Sequence, residues 1–288
     1  MATYTYDEAT NREDLSDVVV NLSPTDTPII SMIGKTKAKA TYHEFPEDEL
    51  APAGENAAVE GAEFDPAEAA GRQRKGNYTQ ILTKAYKVTA SQMAVDTAGV
   101  SDEYAYQKYK AMKEIAKDLE YAVSKNGAAV AGDKTTARKM AGLPGIIQTN
   151  VVTGASVTAD VITDALQKVW EAGGTAKKLV VSGNNKKAIS KMTTSNTKNI
   201  SAKDKTLVEA IDVFDTDFGR VEVVASRFLD DKTMFVLDPA AIKLAWLRPF
   251  KAEDLPTNSD GKAGSIVGEV TLEVRGEKGQ GMINISKG

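Results

Sequence analysis

Carboxylates are the residues of this chain whose number and spacing most suggest catalysis. Nine acidic side chains and no Lys or Arg lie between Glu44 and Glu68, and Arg72, Arg74 and Lys75 follow. Two carboxylates held face to face can act as general acid and general base. This segment is rich in Ala, Gly, Glu and Pro, which is a poor platform for fixing two acids to within about 0.5 Å. A carboxylate-dependent hydrolase therefore stays open as the less favoured alternative.

Histidine and cysteine offer little further chemistry. His43 is the single histidine, and the chain has no cysteine. The lack of cysteine excludes disulfides, thiolate nucleophiles and cysteine-ligated metals. A lone histidine without a marked partner is a weak candidate for a general base. The sequence therefore predicts no catalytic residue, no metal site and no cofactor.

One glycine-rich stretch resembles a phosphate-binding loop. Gly127 and Gly132 have the G-x-x-x-x-G spacing, and Asp133 and Lys134 follow. A P-loop requires lysine directly after the second glycine, on a turn that leads from a strand into a helix. Here a carboxylate intervenes, which would repel a phosphate, and a helix is predicted before the stretch. Nucleotide binding is therefore not predicted.

The element around which the chain is organised is a helix predicted over 101–126. Ser101 suits the N-cap, and Gly127 suits the left-handed position after the last turn. At about 1.5 Å per residue this helix is roughly 39 Å long. One apolar stripe is predicted to face the core: Ala105, Tyr109, Met112, Ala116, Leu119 and Val123. The opposite, polar face is formed by Gln107, Lys110, Lys113, Glu114, Lys117 and Glu120.

The chain before this helix is predicted to be largely extended. Residues 1–38 form an arm that two prolines interrupt, and strands are predicted at 41–45 and 78–88. The acidic segment between these strands is too long for a structureless loop in a compact domain. It is interpreted as a two-stranded projection whose tip rests on another molecule. A solvated acidic loop is the alternative.

The chain after the helix alternates between helix and strand over 150–237. Thr158 is predicted to cap a helix whose apolar face includes Trp170, and buried strands are predicted at 179–181 and 234–237. This pattern is typical of an α/β block inserted into a larger domain.

The C-terminal tail has the clearest strand pattern. Alternation places one set of side chains, Val270, Leu272 and Val274, on one face, and another, Glu269, Thr271, Glu273 and Arg275, on the opposite face. Residues 276–279 are predicted to turn, and 282–285 to return as a strand.

Composition limits the function classes. The chain has 288 residues, 42% hydrophobic and 26% charged, with a formal net charge of −4. These values are typical of a soluble globular protein and favour neither nucleic acid nor an anionic membrane as a partner. No signal peptide and no transmembrane run is present in the sequence, so a cytosolic protein is expected.

Taken together, these features resemble the major capsid proteins of tailed bacteriophages, whose fold is shared with herpesvirus shells. The stretches that carry the resemblance are Ser23-Pro24-Thr25-Asp26-Thr27-Pro28, Tyr42-His43-Glu44-Phe45, Glu60-Gly61, Asn77-Tyr78-Thr79-Gln80-Ile81, Lys117-Asp118-Leu119-Glu120, Thr216-Asp217-Phe218-Gly219, Leu247-Arg248-Pro249 and Gly268-Glu269-Val270-Thr271-Leu272-Glu273. Their order and spacing along one chain make the resemblance specific.

The resemblance implies an α+β fold in four parts. These are an N-terminal arm (1–38), an extended β-hairpin loop (39–92), a peripheral domain with a spine helix at 101–126 and a β-sheet (93–149 with 238–288), and an inserted α/β axial domain (150–237). Some relatives begin with a long scaffolding segment, for which this chain has no room.

The implied function is structural: a subunit that assembles as pentamers and hexamers into an icosahedral virion shell around double-stranded DNA, in the host cytoplasm. Further partners would be portal, scaffold and decoration proteins, with no sequence-specific contact to the packaged DNA and no membrane. A non-viral, encapsulin-like container of the same fold is the alternative. The candidate inter-subunit contacts are Glu47, Asp48, Glu49, Glu60, Arg72, Arg74, Lys75, Arg138 and Lys139. The acidic segment of one subunit is expected to lie on the Lys and Arg residues of 72–75 or 134–139 of a neighbour.

Overall fold

The computed structural model describes residues 26–51, 53–61, 71–95, 100, 102–196, 213–257 and 259–286. The first 25 residues of the predicted arm lie outside these ranges. None of the helices in the described part of the chain is long and apolar enough to cross a membrane.

Helices and strands are mixed, which confirms the α+β class. The helices are α1 Pro28–Met32, α2 Ala90–Ala94, α3 Glu103–Lys125, α4 Leu143–Ile146, α5 Ala159–Glu171 and α6 Gly183–Asn196. The strands are β1 Gly34–Lys37, β2 Tyr42–Glu47, β3 Gln73–Tyr78, β4 Gln80–Val88, β5 Val151–Gly154, β6 Lys178–Val181, β7 Val213–Thr216, β8 Gly219–Ala225, β9 Thr233–Leu237, β10 Ile242–Leu255, β11 Lys262–Val274 and β12 Gly281–Ile285.

These elements form three sheets and two compact units. The sheets have the orders β1-β10-β11-β4, β5-β12-β9-β6-β8-β7 and β2-β3. The described residues within 83–116 and 250–267 belong to the smaller unit, and the described residues within 26–82, 117–249 and 268–286 belong to the larger unit. The four-part division expected from the resemblance stays a prediction.

The strands of the predicted α/β block, β5 to β9, belong to the six-stranded sheet of the larger unit. The hydroxyl of Thr158 accepts the Val161 N–H at 3.3 Å, as expected for an N-cap. Leu166 of α5 and Ile189 of α6 belong to one buried cluster with side chains of the sheet, so both helices cover it. The prediction that Trp170 belongs to the core face is wrong, because its side chain is 59% exposed.

The last strand, β12, does not return alongside the strand before it. It pairs in parallel with β5 and antiparallel with β9, inside the six-stranded sheet. The turn that redirects the chain is fixed by Glu277, whose carboxylate accepts the N–H groups of Gln148 and Thr149 at 2.7 and 2.8 Å. Burial raises the pKa of Glu277, but the bonds from Thr149 and Gln148 outweigh burial and lower it overall.

The strand predicted at 78–88 is two strands. Thr79 separates β3, which pairs with β2, from β4, which lies at the edge of the four-stranded sheet. The N–H of Thr79 donates to the Thr41 carbonyl at 2.8 Å, which closes the hairpin at its base. The second hairpin strand is therefore 73–78, and it carries the basic residues that follow the acidic segment.

The long helix is confirmed, but only part of its predicted stripe is buried. Ser101 lies outside the described residues, and the Asp102 carboxylate accepts the Ala105 N–H at 3.0 Å, as a cap does. Leu119 and Val123 of the stripe are buried, whereas Tyr109 and Met112 are 56% and 51% exposed. The stripe was predicted correctly only toward the C-terminal end of the helix.

The assignment of Glu120 to the polar face is wrong, because this side chain is completely buried. Its two carboxylate oxygens accept the N–H groups of Ile29 and Ile30, each at 2.9 Å. The N–H groups at the start of a helix have no acceptor within the helix itself, and a negative charge is favoured there. Burial raises the pKa of Glu120, and the two backbone bonds oppose the rise. Glu120 thus fastens the start of α1 to α3.

The smaller unit is centred on two tyrosines. The Tyr104 hydroxyl donates to Asp254 at 2.6 Å, and its ring centroid lies 5.3 Å from that of Tyr86. The bond to Asp254, together with burial, raises the pKa of Tyr104. A Cβ at Gly264 would lie 2.6 Å from both tyrosine hydroxyls, so a larger residue there would displace the tyrosine rings.

Candidate functional site

The hairpin of β2 and β3 is the predicted projection. Six residue pairs join the two strands, from Tyr42 opposite Tyr78 to Glu47 opposite Gln73. Beyond them, the described residues 48–51 and 53–61 belong to no helix or strand. The described part of the projection is therefore two-stranded only near its base.

The base of the hairpin lies against a polar row on β11. Glu269, Thr271 and Glu273 are 4%, 0% and 1% exposed. Val270 and Leu272, on the alternate positions, are equally buried. The alternation along this strand therefore does not separate a buried face from a solvent face, because the hairpin covers the polar side.

Glu269 is the most highly paired member of this row. Its carboxylate accepts the Thr79 hydroxyl at 2.7 Å and forms ion pairs with Arg248, at 3.1 Å, and with Arg138. The Nε of Arg138 also donates to the Thr79 carbonyl at 2.8 Å. Arg138, a predicted inter-subunit contact, is thus engaged within its own chain.

Glu273 is held by His43 and Arg275. The Nε2 of His43 lies 2.7 Å from one carboxylate oxygen, and the Nε of Arg275 lies 2.5 Å from the other. Burial raises the pKa of Glu273, but the hydrogen bonds from His43 and Arg275 outweigh burial and lower it overall. His43 is therefore a structural partner of a buried carboxylate.

Uncharged side chains complete the attachment of the hairpin. The Asn77 amide donates to the carbonyls of Ala141 and Leu272 at 3.0 and 2.9 Å, and its oxygen accepts the Ala141 N–H at 2.9 Å. The Thr271 hydroxyl donates to the Tyr78 carbonyl at 2.8 Å. The role of Asn77 was not predicted, although an asparagine inside a strand-like run is an unusual residue that could have indicated it.

The predicted basic contacts pair with acidic residues of the same hairpin. Arg72 lies 3.5 Å from Asp48, Arg74 lies 3.9 Å from Glu44, and Lys75 lies 2.8 Å from Glu47. Both arginines are 77% exposed, so each of their pairs contributes little stability. The expectation that these cations receive the acidic segment of a neighbour stays a prediction.

Two acidic residues also fasten the hairpin to the turn before β12. The Gly276 N–H donates to Glu47 at 2.8 Å, and Lys278 lies 2.7 Å from Glu49. The bond from Lys278 lowers the pKa of Glu49. Sequence reasoning missed Lys278, and no local motif marks it because the two residues are far apart in the chain.

The described residues beyond the paired strands, 48–51 and 53–61, are called the outer hairpin here, and they expose apolar side chains. Leu50 is 98% exposed and Val59 is 81% exposed, and a Cβ at Gly54 would meet no atom within 4 Å. The predicted contacts Glu60 and Lys139 are also exposed. This part of the chain is thus available for contact with another molecule.

The buried carboxylates of the described residues are hydrogen-bonded within the chain. Within the described ranges, no group of three or more His, Asp or Glu side chains could hold a metal ion. Among the residues that the structure describes, the buried glutamates Glu120, Glu269, Glu273 and Glu277 all accept hydrogen bonds from groups of their own chain. Each bond orients a neighbouring segment.

The spine helix, the hairpin anchored at its base and the inserted α/β block define a protein with the phage capsid fold. A chain of the capsid of a native GTA particle is similar over 99% of both chains, with a TM-score of 0.73 and 12% identity. A chain of the capsid of Cyanophage A-1(L) is similar over 96% of this chain and 98% of its own, with a TM-score of 0.74 and 12% identity.

The family follows from the sequence match. The model of the SU10 major capsid protein family matches residues 2–287, so the chain belongs to that family. A major capsid protein of Escherichia phage Phieco32 is 36% identical over 116 residues, which is 40% of this chain. That alignment spans 33% of the length of the Phieco32 protein.

Proposed function

We propose that this chain is the shell subunit of a phage capsid and assembles as pentamers and hexamers into an icosahedral shell around double-stranded DNA. The observation that carries the proposal is the outer hairpin. It is anchored at its base by buried polar bonds, yet it exposes Leu50 and Val59 almost completely. Membership of the SU10 major capsid protein family supports the same role.

Covering the outer hairpin with a copy of the same chain would complete its burial. Heterologous contacts between identical subunits close into rings, and many modest contacts together stabilise a shell. The candidate contacts on the hairpin are Glu47, Asp48, Glu49, Glu60, Arg72, Arg74 and Lys75, with Arg138 and Lys139 on the body. A net charge of −4 suits a container that releases DNA, because a strongly basic lining would retain it.

The role is proposed to be non-enzymatic, with portal, scaffold and decoration proteins as further partners in the virion. A non-viral container of the encapsulin-like kind would be built through the same contacts between subunits. Neighbouring genes for a portal and a terminase would distinguish the viral shell from such a container. The hydrolase alternative has a different signature, since an enzyme of this size is expected as a monomer or small oligomer.

Negative-stain microscopy of the purified chain is the direct test. Rings or closed shells of uniform diameter support the proposal, and a monomer at every concentration and ionic strength contradicts it. A sharper test replaces both exposed apolar residues, as Leu50→Ser with Val59→Ser. Burial of each should contribute about 1.5–3 kcal/mol, so the concentration needed for assembly should rise about 100-fold or more.

The control for this variant is Leu255→Ser, which changes a side chain that is 42% exposed on β10. Both variants should keep the far-ultraviolet circular dichroism and melting temperature of the unassembled subunit, because exposed substitutions rarely change stability by more than about 0.5 kcal/mol. Equal assembly of the double variant and the wild type would refute the role given to Leu50 and Val59.

A further inference from the structure

A pocket lies where the paired strands of the hairpin meet the rest of the larger unit. Its volume is about 440 Å³. Tyr42 and Phe45 of β2 line it on the hairpin side, and Ala129, Ile146 and Leu272 line it on the other side. This pocket is called the base pocket here. Because these walls are aromatic and aliphatic, the base pocket is suited to an apolar group.

Three cations border the base pocket. Arg74 and Lys75 line it, and their side chains are 77% and 41% exposed. Lys139 is also exposed, and its backbone pairs with that of Val130, the residue after Ala129. The ion pair that Arg74 forms within the hairpin spans 3.9 Å at the surface, where such pairs contribute little. The rim of the pocket can therefore accept carboxylates from another molecule.

The outer hairpin of the same chain has the complementary chemistry. Leu50 and Val59 are 98% and 81% exposed, so neither side chain fills a pocket of its own chain. The acidic residues among them are Asp48, Glu49, Glu55 and Glu60, and residues 48–61 include no Lys or Arg. Apolar side chains flanked by carboxylates thus match an apolar pocket that is bordered by cations.

On the basis of the shell function proposed above, we infer that the base pocket of one subunit receives Leu50 and Val59 of a neighbouring copy. An apolar cavity of about 150 Å³ binds benzene, so a pocket about three times larger has room for both side chains. The outer hairpin and the base pocket are different surfaces of one chain. Each copy therefore inserts its outer hairpin into one neighbour and receives that of another, and such heterologous contacts close into rings.

Cysteine cross-linking tests this contact directly, because the chain has no cysteine of its own. Subunits with Leu50→Cys are mixed with subunits that have Ala129→Cys, assembled and oxidised. A disulfide requires Cα atoms within about 7 Å, so a cross-linked dimer on a non-reducing gel is the expected result. The double variant should give a ladder of larger oligomers. The control partner is Ala155→Cys, at an exposed alanine that does not line the base pocket. It should give no more dimer than Leu50→Cys alone.

The outcomes separate this inference from the shell function. A disulfide within one chain of the double variant, seen as a monomer of changed mobility, would place the hairpin in its own pocket and overturn the inference. Uniform shells without cross-links above the control level would also overturn it, and would leave the shell function intact. A wild-type chain that stays monomeric would contradict both.

A second variant does not depend on cysteine chemistry. Ala129→Trp fills the base pocket, and since Ala129 is exposed, the unassembled subunit should keep its circular dichroism and melting temperature. The concentration needed for assembly should rise about tenfold or more, because Leu50 loses its place of burial. Ala155→Trp is the matched control and should assemble as the wild type does. Assembly of Ala129→Trp at the wild-type concentration overturns the inference.

Discussion

Replacing the buried carboxylate of Glu120 tests how the N-terminal part of the chain is held on the spine helix. Glu120→Ala removes the acceptors of two N–H groups, those of Ile29 and Ile30, which now lie 2.9 Å from its oxygens. Ile29 is completely buried, so water cannot easily replace the lost partner. Each buried donor left unsatisfied costs about 1–3 kcal/mol, so the loss should be about 2–6 kcal/mol. Glu120→Gln keeps one acceptor and should lose about half as much.

The assay is urea unfolding of the unassembled subunit, followed by circular dichroism. Tryptic cleavage at Lys35 and Lys37 should accelerate in Glu120→Ala, because β1 follows directly from the released α1. The control is Glu114→Ala on the same helix, whose side chain is 40% exposed and lies 4.0 Å from Lys84. This control should lose no more than about 0.5 kcal/mol. Equal losses in Glu120→Ala and Glu114→Ala would refute the reasoning.

The pH dependence of the same position has a definite sign. Burial raises the pKa of Glu120 above its unfolded value of 4.5, so the folded chain binds this proton more tightly than the unfolded chain does. Stability from this group is present below pH 4.5 and is lost as the pH rises through the raised folded pKa. The wild type should therefore lose stability relative to Glu120→Gln as the pH rises over that window. An opposite slope would show that the two backbone bonds dominate over burial.

Two further substitutions test the packing of each unit. Glu269→Gln weakens the hydrogen bonds to Arg138 and Arg248 and should lower the free energy of unfolding in urea by about 1.5–3 kcal/mol. The control Glu253→Gln changes an exposed side chain and should alter stability by less than about 0.5 kcal/mol. Equal effects of the two variants would argue against a central role for Glu269. Gly264→Ala introduces a Cβ 2.6 Å from two tyrosine hydroxyls and should cost about 1–3 kcal/mol in thermal melting, whereas Gly54→Ala meets no atom and should be neutral. An unchanged melting temperature in Gly264→Ala would contradict the tight packing.

Local patterns were sufficient to predict most elements of this fold. The long helix, the Thr158 cap and the buried strands of the α/β block were predicted from features that lie within a few residues of one another. Helix caps and the alternation of apolar residues act over short sequence distances, so they are visible in the sequence. The main local error was the N-terminal half of the helix stripe. Tyr109 and Met112 have the spacing of core residues and are nevertheless exposed.

The candidate site could be predicted only in outline. The acidic segment and the three basic residues that follow it were recognised as one feature, and the structure brings them together in one hairpin. Sequence reasoning did not reveal the pairing within one hairpin, because it could not show that β3 begins at Gln73. The partners of Arg138 and Glu49 are likewise found in distant parts of the chain.

The sequence by itself therefore determined the periodic elements, the class of fold and the family resemblance. Only the tertiary structure decided that Glu120, Glu269 and Glu273 are buried, that the hairpin is fastened to β11, and that β12 joins the six-stranded sheet. The physical reason is that a carboxylate is buried only where hydrogen-bond donors surround it, and these donors lie far away in the sequence. Ile29, the donor to Glu120, is 91 positions away, and His43, the partner of Glu273, is 230 positions away. A glutamate with helical or strand spacing looks solvent-exposed until those donors are placed beside it.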